Sequence, residues 1–181
     1  MRIAPIMSAF AAVMMGTLVP IGAAEPEVKK SIFMEKVVEG TRLQWRDYAQ
    51  KTGLDPEAWG MTRPFLENGQ QGVMTLLVTD GLSETVKQML QAHEACHRTR
   101  IIAGLPSGGD EAEVACIATE AEYLSTISPE WRSGRNTKDL KKVLGATGTE
   151  DEKYLKDFLR WYGWAQKWAK SNQRLEVSAL R

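Results

Sequence analysis

Cys96 and Cys116 are the only cysteines in this chain of 181 residues, and they constrain its fold more than any other feature. Each lies inside a segment patterned as a helix, and the loop "LPSGGD" separates the two segments. A bond between them would clamp two consecutive helices together. Whether it forms depends on the compartment, and the N-terminus speaks to that. Residues 1–24 carry Arg2, a mostly apolar run from Ile6 to Ile21, and the small residues Gly22, Ala23 and Ala24. These are the three parts of a secretory signal with cleavage after Ala24. The apolar run is short for a bilayer span and contains Pro20, so no stable membrane anchor is expected. In a periplasmic or secreted protein an even pair of cysteines reads as one disulfide. Closing a loop of roughly 20 residues, it would stabilise the fold by about 3 kcal/mol on the chain-entropy model.

Residues 25–181 then form a single domain of ordinary size, large enough to bury a core without many staples. The 23 basic and 23 acidic residues of the whole chain balance, which argues against a nucleic-acid partner or an anionic membrane surface. The periodicity is mainly α, α+β with at most a small sheet. Ser31 can cap a helix carrying Ile32, Phe33, Val37 and Val38, and a helical pattern resumes after Thr41 and ends at Gly53. Asp55 and Pro56 suit the start of another helix. Asn68-Gly69 is turn chemistry. The best strand is 72–81, a short apolar run bounded by Gly72 and Asp80-Gly81. A long helix follows, with Ser83 as cap and Gly104 as stop, then a second from Asp110 to Thr126 and a short one from Ser128. Residues 137–144 form a further helix stopped by Gly145. The last, 150–170, starts with a Thr149/Glu152 capping box and carries an apolar stripe of Tyr154, Phe158, Trp161, Ala165 and Trp168 that reads as core.

The chemistry concentrates in "HEACH". His93 and His97 are the only two histidines, and they continue the buried stripe of Val86, Leu90 and Ile101. Four apart on a helix, both imidazoles can reach one tetrahedral Zn2+, and Glu94 would serve as general base toward the water that the metal activates. A catalytic zinc site needs a third protein ligand, and no histidine remains to supply it. The next helix offers Glu111, Glu113, Glu120 and Glu122. A Cys96–Cys116 disulfide would press the face bearing Glu113 and Glu120 against the histidines, whereas Glu111 and Glu122 point away.

The order of signal, "HEACH", short loop and "EAEVACIATEAEYL" resembles the minigluzincins, small zincin-type H-E-x-x-H metallopeptidases. The likeness covers 83–124. It implies a zincin-like helical core in which the helix bearing the motif is followed by a glutamate-bearing helix. It also implies Glu113 as the third ligand, with Glu120 the second choice, and an edge strand able to hold an extended peptide. Val114 stands where the family commonly has alanine, and Ile117 stands where a carboxylate orienting a zinc-bound histidine is often found. The functional expectation is an exported zinc-dependent metallopeptidase or related hydrolase, acting on a peptide, an envelope protein or a cell-wall peptide. Two other readings fit the same residues. One is a non-catalytic, disulfide-stapled helical binding module of the inhibitor or immunity type. The other is a structural zinc site closed by Glu120. Tyr48, Tyr123, Tyr154 and Tyr162 read as structural rather than as transition-state stabilisers.

Overall fold

The computed structural model describes residues 34–129, 131 and 137–172. The signal sequence read at 1–24, and Ile32 and Phe33 of the first expected helix, lie outside the described residues. The chain divides into the units Met1–Lys30 and Ser31–Arg181, and every described residue belongs to the second.

Helices dominate, and a sheet of three strands lies beside them. The elements run β1 (Met34–Gly40), α1 (Arg42–Thr52), β2 (Gly60–Glu67), β3 (Gln70–Val78), α2 (Glu84–Ile102), α3 (Asp110–Ile127), α4 (Thr137–Leu144) and α5 (Thr149–Asn172). The sheet order is β1-β3-β2. The expected strand at 72–81 is therefore present as β3, and it is the central strand rather than an edge.

Two segments depart from expectation. Met34–Gly40 is a strand, not a helix: it pairs in parallel with β3 from Met34 opposite Gly72 to Gly40 opposite Val78. Ladder pairing with a distant strand overrides the local helical spacing of Val37 and Val38. After Asp55 there is a turn and no helix, with Asp55 Oδ1 accepting the Glu57 N–H at 2.9 Å. The chain then enters β2, which the sequence pattern does not announce because Pro64 interrupts it. Its placement is lawful. The Val78 N–H donates to the Trp59 carbonyl at 2.8 Å, and Gly60 faces Leu77 in the antiparallel register. Alternation then turns the main-chain groups of Gly60, Thr62 and Pro64 toward the free edge, where the missing proline N–H costs no ladder bond. Asn68 (φ 52°) and Gly69 (φ 77°) close the β2–β3 hairpin with both residues in the left-handed region, as a two-residue turn requires.

Helix starts also differ in detail. At α1 a reciprocal box joins Thr41 and Gln44. At α2, Ser83 is the N-cap residue but makes no side-chain cap bond. At α5 the expected Thr149/Glu152 box gives way to Asp151, one position before Glu152. Its buried carboxylate accepts the Gly148 N–H at Oδ2 (3.3 Å) and the Ser83 N–H at Oδ1 (2.7 Å). One carboxylate thereby serves the starts of α2 and α5, while Glu152 pairs instead with Lys141 and Lys156.

The core lies between the helices and one face of the sheet. Val86, Met89 and Leu90 of α2 meet Val114, Ile117, Ala121 and Leu124 of α3 and Tyr154, Leu155, Phe158, Tyr162 and Ala165 of α5. The aromatic stripe of α5 is thus mostly core, with Trp161 and Trp168 packed at its margin. Trp131 stands 5.0 Å from Tyr162, ring to ring. No described helix is long and apolar enough to cross a membrane.

Candidate metal centre

Cys96 and Cys116 are bonded, with Cα atoms 5.3 Å apart, and a disulfide suits an oxidising compartment. The bond joins α2 to α3 at the level of the histidines. One helical turn before Cys116, Glu113 faces both rings. The Nε2 atoms of His93 and His97 are 3.2 Å apart. Glu113 Oε1 lies 3.5 Å from His97 Nε2, and Oε2 lies 3.6 Å from His93 Nε2. Four-coordinate ligands at about 2.0–2.1 Å from a zinc ion stand roughly 3.3–3.4 Å from one another. The three side chains therefore already have the spacing of ligands around one ion, and among the described residues they are the only set so gathered. Glu111 and Glu122 are exposed on the far side of α3, as their helical phase requires.

The ring orientations agree with that use. His97 Nδ1 is 2.9 Å from the Ser107 carbonyl. A carbonyl can only accept, so Nδ1 carries the hydrogen and the Nε2 lone pair faces the cluster. His93 Nδ1 points the opposite way from its Nε2, to Glu120 Oε2 at 3.3 Å. Glu120 is fully buried, and Tyr154 Oη donates to its Oε1 at 2.7 Å. The second candidate for the third ligand is thus behind His93, at the ring nitrogen turned away from the cluster. A fourth ligand from Glu120 would need that side chain to leave Tyr154. One turn after Glu113, where a carboxylate behind a zinc-bound histidine is often found, the chain has Ile117. The carboxylate is two turns after Glu113.

The electrostatics favour positive charge at this point. Burial works against a protonated His93, yet Glu113, Glu120 and Glu94 outweigh it and push the imidazole pKa up to about 10. Burial would raise Glu113, but His93 and His97 hold it down to about 2. Among the described residues no lysine or arginine pairs with Glu94, Glu113 or Glu120. Lys153 is engaged with Glu57 and Arg160 with Asp157. Two imidazoles and a carboxylate suit zinc and neighbouring divalent transition metals, so the residues present fit such an ion.

Glu94 stays out of the ligand triangle. It is buried, and burial raises its pKa against the lowering influence of His93, Thr62 and His97. Thr62 of β2 donates to Glu94 Oε2 at 2.7 Å and contacts Thr75 of β3 at 3.0 Å. The other oxygen lies against Gly60, where a Cβ would come within 2.6 Å of Oε1. Glycine at this position leaves room for the carboxylate. Sequence reasoning passed over Thr62 and Gly60 because nothing near them in the chain hints at Glu94. The only available signal was a glycine and a threonine alternating in one strand.

These groups line a cleft of about 730 Å³. One wall is β2, through Gly60, Met61 and Thr62; another is α5, through Lys153, Trp161 and Trp164. None of the four tyrosines offers a free hydroxyl to it. Tyr154 is committed to Glu120 and Tyr123 to Gln88, while Tyr48 and Tyr162 are not among its lining residues. No protein-family model, curated protein or solved structure matches the chain.

Proposed function

We propose that this chain is an exported zinc-dependent hydrolase of the metallopeptidase type, related in plan to the minigluzincins. One observation carries the reading: His93 Nε2, His97 Nε2 and the Glu113 carboxylate stand 3.2–3.6 Å apart, with His97 Nδ1 on the Ser107 carbonyl and His93 Nδ1 3.3 Å from Glu120. His93, His97 and Glu113 would hold the ion. A bound divalent cation would lower the pKa of a water molecule and polarise a carbonyl. Glu94 would take a proton from the attacking water and return it to the leaving amine, a cycle suited to a carboxylate whose pKa burial has raised. Thr62 fixes one oxygen of Glu94 and leaves the other to exchange the proton. The free edge of β2 presents the main-chain groups of Gly60 and Thr62 beside Glu94, so an extended peptide can add to the sheet and bring an amide to the site. Peptides or proteins of the envelope or cell wall are the substrates that fit an exported enzyme of this kind.

The test is metal content followed by hydrolysis. Protein purified after growth with zinc should carry about one ion, and His97→Ala should lose most of it. Glu94→Gln should keep the ion and lose peptide hydrolysis by roughly a hundredfold or more. Wild-type protein without zinc removes the reading. A zinc-loaded protein whose activity is the same with glutamine at position 94 removes the catalytic part of it.

A further inference from the structure

Two side chains outside the ligand set meet behind His93. Glu120 of α3 has no exposed surface, and its two oxygens face different groups. Oε1 receives the Tyr154 hydroxyl at 2.7 Å, and Oε2 lies 3.3 Å from His93 Nδ1. That second contact is within ion-pair distance without the alignment of a good hydrogen bond, and among the described residues neither Oε2 nor Nδ1 has another partner. We propose that Glu120 is the positioning residue for His93 and that Tyr154 holds Glu120, so that α5 takes part in setting the affinity of the metal centre. This rests on the metal-centre reading above.

A carboxylate shut away from water needs a donor at each oxygen. Tyr154 supplies one, and among the described residues the group facing the other is a ring nitrogen. An Nδ1–H directed at that oxygen leaves the Nε2 lone pair on the side where His97 and Glu113 lie, and makes Nε2 a stronger donor toward a cation. Glu113 and Glu120 are two turns apart on one face of α3. The same helix therefore addresses both edges of one imidazole: Glu113 at Nε2, Glu120 at Nδ1. His97 has only a neutral carbonyl behind it, from Ser107, so the two histidines are supported unequally. Tyr154 comes from α5, which also forms a wall of the cleft, and its ring packs edge-on against Trp59 at 5.3 Å. The hydroxyl is thus fixed by the core and has little freedom to follow a displaced carboxylate.

The experiment measures Zn2+ affinity of the full chain by competition with a chromophoric chelator, for the wild type, Glu120→Gln, Tyr154→Phe and the double variant. Imidazole ¹⁵N spectra of the zinc-loaded proteins are recorded alongside. Each single variant should weaken zinc binding by roughly 10- to 100-fold and shift the His93 Nδ1 resonance. The double variant should bind no more weakly than Glu120→Gln, because Tyr154 acts through Glu120. Tyr154→Phe removes one hydroxyl from a well-packed ring, so it carries the test if Glu120→Gln does not fold. Affinities within twofold of wild type, with an unmoved His93 signal, overturn the roles of Glu120 and Tyr154 alone. A wild-type protein that takes up no zinc overturns the metal centre and this proposal with it.

Discussion

The two halves of the candidate site are built differently. His93, His97 and Glu113 stand on adjacent helices joined by the Cys96–Cys116 bond, and helical repeat plus one covalent link brings them together. Glu94 and the back of His93 are held by residues remote in sequence: Thr62, 32 positions before Glu94, and Tyr154, 34 positions after Glu120. The candidate ligand triangle is therefore a local construction, while the surroundings of Glu94 and of the outer His93 nitrogen are products of the whole fold. The difference separates the groups that would hold an ion from those that would act beside it.

The strongest way to break this contrast is to remove the covalent link. Replacing both cysteines with alanine should lower unfolding free energy by about 3 kcal/mol in chemical denaturation, and zinc affinity should fall with it. An unchanged zinc affinity would mean that packing alone sets the triangle. Next in size is Asp151→Ala, which strips the starts of α2 and α5 of a shared acceptor. The two N–H groups left behind should cost roughly 2 kcal/mol, read as a lowered thermal midpoint. Smallest is Thr62→Val, which removes one bond to Glu94 while keeping the shape. Hydrolysis should fall about tenfold, the value of one hydrogen bond to a charged group, with zinc content unchanged. Loss of zinc in this variant would show that the two halves are not separable.

The same contrast explains what could be read from the sequence. The histidine pair was legible because its information is local, a spacing of four on one helix; helical phase relative to Cys116 left Glu113 and Glu120 both open, and only the resemblance to the minigluzincins singled out Glu113. The helix limits of α2, α3, α4 and α5 followed from periodicity and from glycine stops such as Gly104 and Gly145. β1 was misread as helix because Val37 and Val38 owe their conformation to β3. β2 was missed because Pro64 breaks the pattern, and its tolerance depends on which edge of the strand is free. Glu120 was placed on the right face of α3, yet its partner could not be inferred, since Tyr154 looked like one more member of an aromatic stripe. Asp151 escaped notice because its second acceptor role is toward Ser83, 68 residues earlier.

That shared carboxylate has a consequence for the order of events in a growing chain. Synthesis from the N-terminus delivers both histidines, both cysteines and Glu113 before Asp151 exists. Until then the first turn of α2 lacks the acceptor that Asp151 gives the Ser83 N–H. Firm fixation of the histidine helix waits for α5, so a rigid site is a property of the chain only once that helix has been added.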